Sequence, residues 1–418
     1  MKLRGRARRH RGEAGMEGAA HEKQTLREYA DQARKTDRFQ GRPPHEHYEK
    51  LSFGFFGEMG GLLAALKKLQ RDAVVLTTKQ AASEELGDAL WYLVSAARVG
   101  GVEPTLLGTH AYDFLRARFQ EAAHKRSTET TWHELDSLCG LHHRSLERQR
   151  EALLREAAAL SGELMRIDFE RLSAMDAGDR GTLFGKVTAH LAILSASFGL
   201  TLSEVAKSNL DKTFDRWPDG VPTYEMPSHG GEAFEQFPPE LHVTFIERKV
   251  SGRRVVVQQI HGLNIGDPLT DNSHRPDGYR FHDVFHLAYA VHLGWSPVIR
   301  ALLKLKRKSD KRLDENEDGA RAIIIEEGIA TWIFNNAPHD LYRNTELGRV
   351  DYGLLRQVRS MVQGFEIKDL PLWQWERAIL NGFEVFRQLY DKRGGVVIAN
   401  LKDHTMTYEP LSPSEATA

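Results

Sequence analysis

The sequence predicts a mainly α protein, with an all-α helical bundle in the N-terminal half and an α+β domain after it. Three observations predict this. From residue 25 to about 217, apolar residues recur every three to four positions, the period of a helix. WPDGVP at 217–222 stops that pattern, because proline and glycine together end helices. Beyond it, HVTFIERKV and RRVVVQQIHG flank the turn-like SG, the pattern of a β-hairpin.

Taken in order, the opening MKLRGRARRHRGEAG is basic and lacks the apolar core of a signal peptide. Residues 1–24 read as a disordered basic tail, with a nucleic-acid-binding arm as the alternative. The helical domain spans 25–222. Leu62, Leu66 and Leu69 share one helix face, and Leu86, Leu90, Leu93 and Ala97 share one face of the next. Further helices are expected in PTLLGTHAYDFLRARFQEAA, in SLERQREALLREAAALSGELMRIDFERL, in LFGKVTAHLAILSASFG and in SEVAKSNLDKTFDRW. A Gly- and Pro-rich stretch at 223–240 reads as a linker, and 241–418 as the α+β domain. Its helices are expected around 281–307, 317–336, 352–364 and 373–391, with a second strand pair in GVVIANL and TMTYE.

The helical domain also reads as a degenerate tandem repeat, with copies at about 25–120 and 145–220. Setting VEPTLLGTHAYDFLRARF on LTLSEVAKSNLDKTFDRW pairs Asp113 with Asp211, Arg118 with Arg216 and Gly101 with Gly199. Glu85 and Asp88 then meet Leu183 and Lys186, so the second copy lacks that acid pair.

Composition narrows the function classes. A chain of 418 residues with 41% hydrophobic content is long enough for two or three domains and too apolar for a disordered protein. A net charge of −1 argues against a general nucleic-acid binder. The single cysteine, Cys139, excludes an internal disulfide and a CxxC metal motif, which points to a cytoplasmic protein. No apolar run approaches the ~20 residues that span a bilayer, so no membrane partner is expected. Apolar helix faces left over from the bundle leave homo-oligomerisation open.

Glu85 and Asp88 lie three apart and project from one helix face, opposite the Leu86–Leu90–Leu93 stripe. Glu58 sits on the preceding helix, one turn before Gly61. If those helices pack antiparallel, three carboxylates meet, and their repulsion calls for a cation such as Mg²⁺. A solvated acidic face is the alternative.

These stretches also carry a resemblance. TLREYADQARKTD, GFFGEMGGLLAALKKL, EELGDALWYLVSAARVGGV and LTLSEVAKSNLDKTFDRWPDG resemble, in that order, the landmarks of MazG-like nucleoside triphosphate pyrophosphohydrolases, over roughly residues 25–220. The resemblance implies an all-α fold that binds Mg²⁺, with Mn²⁺ as a substitute, through an ExxE pair on one helix and an ExxD pair on the next. It also implies cleavage of nucleoside triphosphates between the α- and β-phosphates. Carried over, Glu58 is the first acid of ExxE, and Glu85 and Asp88 are those of ExxD, giving the catalytic and metal-binding set Glu58, Glu85 and Asp88. The second ExxE acid falls on Gly61, with Glu84 or Glu163 as candidate substitutes. Asn209, Lys212 and Arg216 match positions that face nucleotide phosphates and sugar. Their alternative reading is the solvated basic edge of an amphipathic helix. The missing acid keeps a non-catalytic nucleotide sensor in view. No GxxxxGKS loop is present, so a P-loop ATPase is not supported.

In the C-terminal domain, NSHRPDGYRFHDVFHLAYAVHLGW places His282 and His286 four apart on one helix face. AIIIEEGIATWIF could present Glu326 or Glu327 to them, and His282, His286 and Glu326 form a candidate second site for Zn²⁺ or Fe²⁺. HD at 282–283 is similar to the HD phosphohydrolases, without their remaining landmarks. A metallohydrolase active site in this half is therefore the second alternative, and a polar helix–helix junction is the plainer one. KLKRKSDKR at 304–312 reads as a solvated loop of opposed charges, and Trp295, Trp332, Trp373 and Trp375 read as packing residues.

Overall fold

Threonine caps decide where several of the first helices begin. The computed structural model describes residues 23–73, 76–122, 127–227 and 230–412; nearly all of the basic segment 1–24 lies outside them. Thr25 opens α1 (Leu26–Lys35) with a capping box to Glu28, which satisfies two otherwise orphaned backbone N–H groups. Proline at the first turn starts α2 (Pro44–Arg71). Thr77 and Gln80 cap α3 (Thr78–Val99) in the manner of Thr25, and α4 (Pro104–Phe119) again opens on proline. Thr131 with Glu134 caps α5 (Trp132–Gly140).

The continuous helix expected over 145–172 is broken into α6 (His143–Arg148), α7 (Arg150–Met165) and α8 (Phe169–Ala174). Asp168 causes the last break by accepting from Arg171 N and starting a new turn. α9 (Ala177–Ser197) is buried all round over its second half, where Val187, Leu191, Ile193 and Leu194 pack and Thr188, His190, Ser195 and Ser197 bond back to the helix's own carbonyls. α10 (Leu202–Arg216) starts at Asp136, whose carboxylate accepts from Leu202 N at 2.6 Å and Ser203 N at 3.1 Å.

The expected stripe is the core: Leu62, Leu86, Leu90 and Leu93 are fully buried, each contributing about 1.5–3 kcal/mol. When Asp113 is set on Asp211, α3 falls on α9 and α4 on α10. The glycines between the helices, Gly101 and Gly199, both take left-handed φ, +74° and +68°. No single described helix is long and apolar enough to cross a membrane.

The chain divides into two units, Met1–Phe214 and Asp215–Ala418. The second is α+β. β1 (Glu240–Val250) and β2 (Arg253–Ile260) form the expected hairpin, and its two turn residues, Ser251 and Gly252, both have positive φ, as such short hairpin turns require. β3 (Leu263–Leu269) was not expected. It forms one edge of the antiparallel sheet, whose order is β3-β2-β1-β4-β5, with β4 (Gly394–Asn400) and β5 (Thr405–Glu409) on the other side. Between the two strand groups run α11 (Asp283–Leu293), α12 (Pro297–Leu302), α13 (Lys311–Asn316), α14 (Ala320–Asn335), α15 (Tyr352–Met361) and α16 (Leu372–Lys392). Val243, Phe245, Val397 and Ala399 on the sheet join Phe285, Trp375, Phe383 and Phe386 in one core.

Four details differ from expectation. The helix expected over 281–307 breaks at Gly294 (φ +64°), after which Ser296 caps α12 and Pro297 begins it. The segment read as a linker is partly built into this unit, since Glu225 exchanges hydrogen bonds with Gln374 and the buried Glu235 accepts from Ser309. In the run read as a solvated loop, Arg307 is buried, paired with Asp318 and Glu366 at 2.8 Å each. Trp295, Trp373 and Trp375 are buried packing residues, whereas Trp332 is exposed.

Candidate functional site

In the first unit, Gly61 on α2 lies beside Glu85 on α3, and Gly54 lies beside Tyr92, so the two helices run antiparallel. A β-carbon on Gly61 would overlap Glu85 Oε2. The space expected for a second ExxE acid is thus filled by the Glu85 carboxylate. Glu58 and Glu85 lie close enough for each carboxyl to act on the other. Burial, with Asp88 and Glu85 nearby and only Lys212 opposing, pushes Glu58 up to about 7. Burial and the neighbouring Glu84 and Asp88 also raise Glu85.

Asp88 is secured from α10. Its Oδ1 accepts from Asn209 Nδ2 at 2.9 Å and its Oδ2 accepts from Lys212 Nζ. Lys212 Nζ also lies 3.5 Å from Glu84 Oε1. Burial nonetheless raises the Asp88 carboxyl above its ordinary value. The buried Tyr29 hydroxyl donates to Asn209 Oδ1 at 3.2 Å and so fixes which end of the amide faces Asp88. Gly87 permits the approach: a β-carbon there would sit 3.1 Å from Asn209 Cβ.

The structure therefore gathers Glu58, Glu85, Asp88, Asn209 and Lys212 in one region, with Glu84 as a fourth acid, but the ligand atoms of Glu58, Glu85 and Asp88 do not all come within 4.8 Å of one another. Arg216 is engaged in the second unit, where its guanidinium donates to Val350 O at 2.6 Å and Gly348 O at 3.4 Å. Glu163 is exposed on α7. Tyr29 had no assigned role in the sequence, although it sits within the first landmark. Glu58, Glu85 and Asp88 offer carboxylate oxygens, the ligands a hard cation such as Mg²⁺ takes, and the repulsion that helps to raise Glu58 and Glu85 is what such a cation relieves.

In the second unit, His286 Nδ1 is 2.9 Å from Glu326 Oε1, and both atoms are buried. Glu326 also accepts from Ser296 Oγ at 2.6 Å and Val298 N at 2.8 Å. These partners exist because the chain breaks at Gly294 and restarts at Ser296. Glu326 therefore stands behind His286, and the carboxylate in front of the two imidazoles is Glu327. Among the described residues, His282, His286 and Glu327 are the one group of three such side chains whose ligand atoms all lie within 4.8 Å of one another. Burial alone would lower His286, but the two glutamates raise it well above the usual imidazole value. Burial likewise opposes Glu327, which His282 and His286 hold well below the carboxylate range.

Comparison with known families finds a likeness in the second unit alone. Neither the curated proteins nor the solved structures offer a match to this chain. Residues 226–412 match the family model described as the MazG C-terminal domain, so the likeness to that family lies in the second unit.

Proposed function

We propose that the chain is a Mg²⁺-dependent nucleoside triphosphate pyrophosphohydrolase, converting an NTP or dNTP to the monophosphate and pyrophosphate in its first unit. The observation that carries this reading is the convergence of Glu58, Glu85 and Asp88 from two antiparallel helices on a site where α10 supplies Asn209 and Lys212. The four ordered landmarks and the MazG C-terminal domain match support it from separate parts of the chain.

Glu58, Glu85 and Asp88 would hold the ion. When bound, Mg²⁺ supplies neutralisation of phosphate charge, which phosphoryl transfer needs more than a protein nucleophile. Asn209, fixed by Tyr29, orients Asp88. Lys212 bridges Asp88 and Glu84, and its ammonium is the cation on this face that would meet a phosphate. Tyr92 and the α2–α3 packing shield the acids from bulk water on one side.

The test is pyrophosphate release over a panel of ribo- and deoxynucleoside triphosphates with Mg²⁺. Intact protein is expected to produce monophosphate and pyrophosphate, and Glu85→Gln and Asp88→Asn to lose at least about 100-fold, the scale on which transition-state charge stabilisers act. Turnover indifferent to both substitutions would sink the reading. Gly61 favours one alternative, a nucleotide sensor, because Glu85 occupies the place of a further ligand. Tight nucleotide binding without any turnover would decide for it.

A further inference from the structure

We infer that the second unit holds a divalent transition-metal ion between His282 Nε2, His286 Nε2 and Glu327 Oε2, with an outward position left for water. This inference stands independently of the reading of the first unit. The two histidines enter at the start of α11, one turn apart, and each has its other ring nitrogen committed. His282 Nδ1 lies 2.9 Å from the Tyr279 carbonyl, which can only accept, so the proton is on Nδ1 and the Nε2 lone pair points away from it. His286 Nδ1 faces Glu326, already the acceptor for Ser296 and Val298. This is how proteins fix the tautomer and ring plane of ligating histidines.

Both Nε2 atoms face the same carboxylate oxygen. Glu327 Oε2 is 3.6 Å from His282 Nε2 and 3.5 Å from His286 Nε2. A tetrahedral ion with ligand bonds of about 2.0–2.1 Å sets its ligand atoms roughly 3.3 Å apart. His286 Nε2 is wholly buried and has no hydrogen-bond partner, an orphaned polar atom aimed into the cluster. Asp283 Oδ1, 3.2 Å from His282 Nε2, is placed to bind the ion or its water, and Gln258 holds its other oxygen.

The surroundings argue for one class of ion. Two imidazoles with one carboxylate and no thiolate suit Zn²⁺ or Fe²⁺ rather than Mg²⁺ or Ca²⁺. Side-chain exposure is 0% for His286 and 7% for His282, but 41% for Glu327. The imidazoles therefore form a dry floor and the carboxylate the solvent edge, so the remaining position faces outward. Three protein ligands with an open position are the arrangement of reactive rather than purely structural zinc sites. Tyr279, stacked on His282 at 4.3 Å with its hydroxyl on Thr331, walls one side.

The experiment uses the full chain, freed of metal by a chelator and titrated with Co²⁺, then with Zn²⁺ in competition. One equivalent of Co²⁺ giving the intense visible bands of a four-coordinate ion, displaced mole for mole by Zn²⁺, is expected. Glu327→Gln, at a half-exposed position that leaves the core intact, is expected to lose the bands while melting as the intact chain does. Glu326→Gln, which acts through His286, is expected to weaken Zn²⁺ binding by roughly 10- to 100-fold and to alter the band shape. Glu85→Gln, in the other unit, should leave the bands unchanged. An intact chain without the bands would overturn the assignment. So would bands that survive in both His282→Ala and Glu327→Gln, or that vanish in Glu85→Gln.

Discussion

The two units assemble ligand-type side chains by opposite physics. In the first, Glu58, Glu84, Glu85 and Asp88 crowd onto neighbouring helices and repel. Burial and this crowding raise Glu58 and Glu85, while Asp88 and Glu84 lean on Lys212. In the second, two imidazoles and two glutamates attract one another, and Ser296, Val298 N and the Tyr279 carbonyl brace them from behind. An oxygen-only cluster is incomplete until a cation gathers it, whereas a histidine cluster can be shaped before the ion arrives. The difference separates a site for a loosely held, water-carrying ion from one for a resident ion.

The comparison can be broken most directly through stability. In metal-free protein, Glu326→Ala is expected to cost about 3–5 kcal/mol, because His286, Ser296 and Val298 N–H lose a common buried acceptor. Glu85→Gln is expected to shift stability by less than about 1 kcal/mol, in the stabilising direction, since it removes one repelling charge. Equal costs in denaturant unfolding would erase the distinction.

A smaller effect should appear in the pH dependence, with opposite sign in the two units. Glu58, raised to about 7 beside Asp88, Glu85 and Lys212, keeps its proton in the folded state where the unfolded chain has lost it. With a chelator present, its contribution is full below the unfolded value near 4.5 and is lost as pH rises through 7. After allowance for partial exposure this amounts to roughly 1–2 kcal/mol. His292 behaves the other way. Burial, with His404 and Arg377 also opposing the charge, lowers it to about 4 despite its bond to Asn381. Its Nδ1 accepts from Tyr224, so the folded state needs the neutral ring. The second unit should therefore lose on the order of 3 kcal/mol as pH falls from 6.5 to 4. Hydrogen exchange followed separately in the two halves would check both signs, and parallel slopes would contradict them.

The mildest test is Gly61→Ala. The gain in helix propensity, about 1 kcal/mol, should roughly offset the displacement of the Glu85 carboxylate, leaving the melting point nearly unchanged. The Glu58 titration, followed by carboxyl NMR, should move to lower pH once the Glu85 carboxylate is pushed away from it. An unmoved titration would show that Glu85 does not fill the glycine's space.

Much of this was legible in the residues, and the misses have physical causes. Helical period and the WPDGVP stop located the bundle, and β-branched runs around Ser251–Gly252 located the hairpin. LNIGDPL hid β3 because an edge strand carrying Gly266 and Pro268 buries almost nothing and shows no alternation. Spacing drew Glu58, Glu85 and Asp88 together, but it could not pair Lys212 with Asp88, which depends on how closely α10 approaches Gly87. Glu326 and Glu327 are neighbours pointing about 100° apart on one helix, so composition alone could not decide which faces the histidines. That choice rests on the break at Gly294, which turns Ser296 and Val298 toward Glu326. Arg307 was hidden because its partner Glu366 is distant in sequence and Asp318 sits in a neighbouring run of acids that reads as solvated.

The order of the strands sets a schedule for synthesis. β1 pairs on one side with β2, within a hairpin available early, and on the other with β4, which leaves the ribosome only after every helix of the unit. Until residues 394–400 emerge, β1 offers a bare edge able to pair with another chain, and long-range closure of this kind is slow. The helical first unit, by contrast, shows no sheet among its described residues and can fold while its neighbour is still being made. A nascent chain stalled after α16 would thus carry a finished bundle tethered to an adhesive, half-built sheet, and translation speed through the second unit becomes a determinant of yield.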